Sequence, residues 1–109
     1  MEKNDVLAAL AALAQETRLD IFRLLVRAGN DGLPAGAIGD ELGVASATLS
    51  FHLKELKMAR VIQCRREGRS LIYSPSFGVM NDLLQFLTVN CCEGVAVCEP
   101  KARRARRSA

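Results

Sequence analysis

The spacing of the apolar residues changes once along this chain, near residue 60. Before that point apolar residues recur at intervals of three and four, which is typical of amphipathic α-helices. Residues 61–74 instead hold two short β-prone runs on either side of Glu67-Gly68-Arg69, which is typical of a β-hairpin. A helical pattern returns at residue 77. Because 109 residues suffice for about one domain, the helices and the hairpin must share one core.

Five helices are predicted, over about residues 6–14, 18–27, 34–42, 46–59 and 77–91. The apolar stripe of the first is formed by Val6, Leu7, Leu10 and Leu13, and that of the last by Val79, Met80, Leu83, Leu84 and Leu87. Gly43 is predicted to end the third helix in a left-handed conformation. Ser46 is predicted to be the N-cap of the fourth. The order α-α-α-α-β-β-α predicts a mainly helical winged helix-turn-helix, with the small β-hairpin as its wing.

The basic residues are concentrated in two blocks. Residues 44–74 carry a net charge of +4 and residues 100–109 carry +5, whereas residues 1–43 and 75–99 each carry −3. A basic helix and hairpin in an otherwise acidic chain favour an anionic partner, nucleic acid first. We therefore predict a DNA-binding and dimerisation domain over residues 1–91. Residues 92–109 are predicted to be a cysteine-containing segment and a disordered basic tail.

The fourth helix and the hairpin supply the candidate DNA contacts. Leu49, Leu53 and Leu56 fall on one face of the helix, so Phe51 lies on the opposite face, where it can contact a thymine methyl in a major groove. Hydroxyl groups and lysines on the same helix can reach base edges or phosphates. The predicted DNA-binding residues are Ser46, Ala47, Thr48, Ser50, Phe51, His52, Lys54, Lys57, Arg65, Arg66 and Arg69.

Structural roles stay open for several of these residues. Phe51 can instead pack against another helix or a partner. The lone histidine, His52, lies at the edge of the core face, where a structural hydrogen bond is the alternative to a DNA contact. The three hairpin arginines can also form an ordinary solvated turn.

Three segments carry a family resemblance. The first runs Ala14-Gln15-Glu16-Thr17-Arg18-Leu19-Asp20-Ile21-Phe22-Arg23-Leu24-Leu25. The second is Ser46-x-x-x-Ser50-x-His52-Leu53-x-x-Leu56, and the third is Arg66-Glu67-Gly68-Arg69 followed by Ile72-Tyr73. They resemble the second helix, the recognition helix and the wing of the ArsR/SmtB family of bacterial repressors. The resemblance covers about residues 5–91.

The resemblance implies a homodimer formed through the first and last helices. It also implies binding to an imperfect palindrome of double-stranded DNA in a promoter, with release when an inducer binds. Two positions depart from the family pattern. Gln15-Glu16 replaces the usual Asp-Pro cap, which predicts a weaker helix start, and Arg60 stands where the family commonly has Gly.

Three of the four cysteines lie within eight residues. Since Gly94 lets the chain fold back, Cys91, Cys92 and Cys98 can close into a three-sulfur cup. Soft thiolates favour a thiophilic ion. Zn²⁺ prefers four ligands, so As(III) or Sb(III) fits the ligand count better. The spacing also resembles that of arsenite-responsive family members, whose three sensing cysteines follow the last helix.

These observations predict a repressor that As(III) or Sb(III) releases from its operator, with no resident cofactor and no enzymatic activity. The run Val6–Ala14 lacks a basic flank and is too short to span a bilayer, so the protein is predicted to be cytoplasmic, without a membrane segment. A thiol redox or persulfide sensor and a methylarsenical sensor of the same fold stay open. A protein-interaction module is the alternative without DNA. Cys64 is predicted to be a small buried residue.

Overall fold

The computed structural model describes residues 1–93, which form five helices and a small sheet. The helices are α1 (Lys3–Leu13), α2 (Glu16–Ala28), α3 (Ala35–Leu42), α4 (Ser46–Met58) and α5 (Phe77–Thr88). The strands are β1 (Leu33–Pro34), β2 (Ile62–Glu67) and β3 (Ser70–Pro75), and a 3₁₀ turn at Gly29–Asp31 follows α2. The predicted winged helix-turn-helix is confirmed. Cys98 and the basic tail at 100–109 lie outside the described residues.

The sheet is antiparallel, with the strand order β1-β3-β2. β2 and β3 form the predicted hairpin, in which Cys64 lies opposite Tyr73 and Glu67 lies opposite Ser70. β1 was not predicted. It is only two residues long and pairs Leu33 with Tyr73 on the other edge of β3, so the wing begins between α2 and α3.

The core lies between α1, α2, α3, α4 and the base of the sheet, and Leu83 of α5 joins it. Leu49, Leu53 and Leu56 form the buried stripe of α4, as predicted. Gly43 ends α3 with φ +67°, so its predicted left-handed conformation is confirmed. The prediction for Ser46 is wrong, because Ala45 is the N-cap of α4 and Ser46 is its first helical residue. This turn orients α4 with its polar face outward.

The apolar stripe predicted for α1 is wrong for two of its four residues. Val6 is buried and Leu13 packs partly buried against the core, whereas Leu7 is 55% exposed and Leu10 is 40% exposed. The other buried side chains are Ala9 and Ala12, and these small alanines let α1 pack closely on the domain.

The last helix is also less buried than its pattern predicted. Leu83 is its one buried side chain, and the exposed apolar side chains include Leu84, Phe86 and Leu87. The helix ends at Thr88, three residues before the predicted end at Cys91. A single chain therefore presents apolar surface on both α1 and α5.

Two family departures have clear structural outcomes. Gln15 caps α2 after all, since its Oε1 accepts a hydrogen bond from the Arg18 backbone N–H at 2.8 Å. Arg60 follows α4 with φ +68°, a left-handed conformation that costs a non-glycine residue about 1–2 kcal/mol. The backbone thus keeps a glycine-like turn between α4 and β2, while the side chain at this turn is a cation.

Candidate DNA-binding surface

The outer face of α4 carries most of the predicted DNA contacts. Ten of the eleven predicted side chains are exposed, and seven of them belong to α4: Ser46, Ala47, Thr48, Ser50, Phe51, Lys54 and Lys57. No side chain caps the start of this helix, so its first backbone N–H groups are available to an anion. Phe51 is 56% exposed, as its position opposite the leucine stripe predicted.

A groove of about 370 Å³ separates α4 from the sheet. Ser50, Lys54 and Lys57 line one wall, which is therefore polar and cationic. Leu53, Met58 and Tyr73 line the rest of the groove. The sequence pattern did not indicate Met58 or Tyr73 as part of this surface, and only the folded chain brings Tyr73 of β3 against α4. Two lysines beside a groove suit a phosphate backbone better than a small apolar ligand.

The three wing arginines are not equivalent. Side chains alternate between the two faces of a strand, so Arg65 and Arg66 point in opposite directions. Arg66 lies on the same face of β2 as Cys64. Tyr73, which lies opposite Cys64 on β3, borders the groove beside α4. Within residues 1–93 the guanidinium groups of Arg66 and Arg69 form no hydrogen bond or ion pair, so both can contact DNA.

Arg65 has partners inside the chain. Its Nε donates to Glu67 Oε2 at 2.7 Å, and its Nη2 donates to the Asp31 carbonyl at 2.7 Å. Its Nη1 donates to the Asn30 carbonyl at 3.2 Å. The guanidinium therefore joins the wing to the turn at the end of α2, where carbonyl groups favour a cation.

His52 is the one predicted contact that is buried, at 8% exposure. Its Nδ1 lies 3.3 Å from Nη1 of Arg18, at the start of α2. Its ring stands edge-on to Phe51, with centroids 5.4 Å apart. The structural alternative that the sequence left open, a hydrogen-bonded histidine at the edge of the core, matches this position. No local sequence pattern indicated that Arg18 contacts His52.

Tyr73 provides a spectroscopic test of the wing. Burial raises its pKa above the ordinary value of 10.0, and the charge of Cys64 and a hydrogen bond to it raise the pKa further. The chain has one Tyr and no Trp, so phenolate absorbance follows this group alone. We expect a titration midpoint above 10.0 that falls in Cys64→Ala, yet stays above 10.0 because burial remains.

The sign of the effect on stability follows from that shift. Because the folded state holds the Tyr73 proton more tightly, this stabilisation is complete below the ordinary pKa of 10.0 and is lost as the pH rises through the folded-state pKa. In denaturant the midpoint should return to the ordinary value. An unchanged midpoint in Cys64→Ala would show that Cys64, which is half-buried rather than buried, does not act on Tyr73.

The adjacent cysteines lie just past the last helix. Cys91 Sγ and Cys92 Sγ are 3.4 Å apart, and Cys91 is exposed. The Cys91 backbone N–H donates to the Thr88 carbonyl at 2.9 Å, so the pair continues directly from the end of α5. Among residues 1–93 no group of three His, Cys, Asp or Glu side chains could hold a metal ion. The third predicted ligand, Cys98, lies outside this range.

The comparisons with known proteins agree with this geometry. Residues 13–65 match a helix-turn-helix domain family. A homodimeric winged helix-turn-helix DNA-binding domain from Mycobacterium bovis, described as a possible ArsR-family regulator, superposes with a TM-score of 0.64 at 26% identity, covering 88% of this chain and 89% of that one. The transcriptional repressor SdpR of Bacillus subtilis is 33% identical over 76 residues, which cover 70% of this chain and 81% of SdpR. The chain belongs to the ArsR family.

As an ArsR-family member the chain is a winged-helix, DNA-binding transcriptional regulator. HlyU from Vibrio cholerae, which was also solved in a reduced form, is 31% identical with a TM-score of 0.62 and covers 80% of this chain and 97% of HlyU. The chain spans 58% to 85% of the length of the curated relatives it matches. Among the helices of residues 1–93, none has the length and apolar character that a membrane span needs.

Proposed function

We propose that this ArsR-family regulator is a homodimeric repressor that leaves its operator when As(III) binds Cys91, Cys92 and Cys98. The observation that carries the proposal is the position of the cysteine pair. The two sulfur atoms lie 3.4 Å apart, directly after α5, and the exposed apolar residues of α5 precede them. Cys98 follows six residues later in the sequence. An inducer bound there acts on the end of a helix that we assign to the dimer interface.

The dimer part of the proposal rests on exposed apolar surface. Leu7 on α1 and Leu84 and Leu87 on α5 are each more than half exposed in a single chain. Large apolar side chains exposed on two helices favour a partner surface, and a second copy supplies the same surface. The homodimeric relative from Mycobacterium bovis supports this choice. Residues 75–93 also contain no Lys or Arg, so this part of the chain does not attract DNA.

The DNA-binding part uses the outer face of α4 and the wing. We assign α4 to a major groove and assign Arg66 and Arg69 to the flanking backbone or minor groove. A dimer presents two α4 helices, so the operator should contain two related half-sites. The direction of regulation is part of the proposal, because SdpR is a repressor and HlyU is an activator.

The chemistry of induction is ligand exchange without oxidation. Arsenite in water is As(OH)₃, and three thiols replace its three hydroxyl groups while three waters leave. Antimonite can react in the same way, because Sb(III) is also thiophilic and three-coordinate. Three As–S bonds hold Cys98 against Cys91 and Cys92. This constraint acts through the Cys91–Thr88 hydrogen bond on the last turn of α5 and disfavours the DNA-bound spacing of the two α4 helices.

Operator binding under full reduction tests the proposal. The probe is the promoter DNA preceding the chain's own gene, and fluorescence anisotropy is measured with and without arsenite. Wild type and the control Cys64→Ser should bind and then release the DNA on arsenite addition. Cys91→Ser, Cys92→Ser and Cys98→Ser should bind equally well but stay bound, because each lacks one sulfur ligand. Normal release by all three variants would exclude the cysteines as the sensor.

A methylated arsenical gives a different pattern, since it needs only two thiols. In that case Cys98→Ser should respond normally to the methylated compound, whereas at least one variant of the adjacent pair should not. Footprinting with the same DNA addresses the protein-interaction alternative, because a module without sequence-specific DNA binding leaves no footprint.

A thiol redox sensor is the second candidate function. The short Cys91–Cys92 sulfur distance and the reduced form of HlyU favour it. Oxidation by hydrogen peroxide would form a disulfide between Cys98 and one cysteine of the pair, and the two thiol protons and two electrons would pass to the peroxide to give two waters. This candidate predicts release by peroxide and no release by arsenite under full reduction.

A further inference from the structure

One arginine connects three helices behind the DNA-binding surface. The Arg18 backbone N–H is capped by Gln15 in the first turn of α2. The Arg18 side-chain Nε donates to the Ala12 carbonyl, in the last turn of α1, at 2.7 Å. Its Nη1 lies 3.3 Å from His52 Nδ1, in the middle of α4. The side chain therefore spans from α1, through α2, to the helix that carries the DNA contacts.

The direction of the third contact is fixed by chemistry. A guanidinium has five N–H donors and no acceptor, so His52 Nδ1 must be the acceptor. The imidazole is therefore neutral in this contact and carries its proton on Nε2. Among residues 1–93 no carboxylate oxygen lies within 4.0 Å of the ring nitrogens, so Arg18 is its one described charged partner at that range. A protonated His52 has no acceptor left and faces a like charge.

A further titratable side chain on α4 lies beside this junction. Glu55 lies one turn beyond His52 and lines, together with Arg18, a cavity of about 350 Å³ between α1 and α4. The rest of the lining is mostly apolar and contains Ala8, Ala11, Ala12, Met58 and Ala59. Buried side chains of α1 and α4 belong to the same core. Beside this open space, the Arg18 hydrogen bonds to the Ala12 carbonyl and to His52 add a polar connection between the two helices.

We propose that Arg18 is a positioning residue for DNA binding, which acts through Nδ1 of His52 to hold α4 in its DNA-binding orientation relative to α1. The inference rests on the proposed operator binding. Since α1 belongs to the proposed dimer interface, this contact transmits the geometry of the dimer to the DNA-binding helix. A chain without the contact populates the binding orientation only part of the time, and its apparent affinity falls by that fraction.

The experiment measures operator affinity at constant ionic strength and pH 8 for wild type, His52→Asn, His52→Ala and Arg18→Gln. Asn offers an acceptor oxygen near the position of Nδ1, so His52→Asn is the conservative variant that should restore the contact. His52→Ala and Arg18→Gln should each bind about tenfold more weakly, the lower end of what a hydrogen bond to a charged group contributes. His52→Asn should stay close to wild type, because it keeps an acceptor for Arg18.

A double-mutant cycle covers the case in which the single variants are less stable. The double variant Arg18→Gln/His52→Ala should bind no more weakly than either single variant, because both remove one contact. Additive losses would overturn the inference, and so would an equal loss of affinity in His52→Asn and His52→Ala. If the wild type binds the operator normally in either of these outcomes, the proposed function stands. If no protein binds the operator, the wild type included, both the inference and the proposed function are overturned.

Discussion

Gly32→Ala is expected to destabilise the domain by about 2–5 kcal/mol, a large share of the free energy of unfolding of a small protein. Gly32 has φ +73° and lies where the chain crosses β3 before entering β1. A Cβ at this position would be 2.5 Å from the Tyr73 carbonyl oxygen and 2.8 Å from Ile72 Cγ2. Because the first of these atoms is backbone, relief requires β3 itself to move.

Gly29→Ala is the matched control for this prediction. Gly29 also has a left-handed φ, +77°, but no atom lies within 4 Å of a Cβ added there. Its substitution should cost only the conformational term of about 1–3 kcal/mol. Urea unfolding followed by circular dichroism gives both values, and the difference between them isolates the clash with β3. Equal midpoints for the two variants would contradict the close approach of Gly32 to Tyr73.

Arg65 and Arg66 are expected to affect DNA binding through different mechanisms, although they are neighbours. Arg66→Gln should weaken operator binding and reduce the slope of log affinity against log salt by about 1 per lost phosphate contact. Arg65→Gln should weaken binding while leaving that slope unchanged. Arg65 is already paired with Glu67 and with two carbonyls, so it adds no phosphate contact. Loss of these hydrogen bonds makes the wing more mobile, and ordering it on DNA binding then costs free energy.

Two further measurements separate these mechanisms. Arg65→Gln should increase amide hydrogen exchange around Asn30 and Asp31, the residues whose carbonyls it bonds, whereas Arg66→Gln should not. Arg69→Gln should behave like Arg66→Gln in its salt slope. If Arg65→Gln flattens the slope as much as Arg66→Gln does, then Arg65 leaves its internal partners and contacts phosphate in the complex.

Local patterns predicted the helix-turn-helix well. The leucine spacing of α4 fixed which face is buried, and Gly43 marked the end of α3, because both signals lie within a few residues. The α1 stripe failed for a physical reason. Hydrophobicity shows that Leu7 and Leu10 avoid water, but it does not distinguish the domain's own core from the surface of a partner.

The contacts of the site were less predictable than the fold. Arg65 and Arg66 are adjacent residues of the same type, and their different roles can be assigned only once the face of the strand on which each lies is known. Arg18 and His52 are 34 residues apart, so no local spacing connects them. β1 is too short for any periodicity, yet it attaches the turn after α2 to the wing. Long-range packing decides all three.

The exposed leucines of α1 and α5 imply that the stability of each subunit depends on how much of the protein the cell contains. In the proposed homodimer, the second copy covers these leucines and binds only the folded chain, so the folded fraction rises with the total amount of protein. At low expression, operator occupancy then falls for two reasons at once, since fewer dimers form and each subunit is less stable. A modest change in the rate of synthesis of the protein would therefore cause a larger change in operator occupancy, even without inducer.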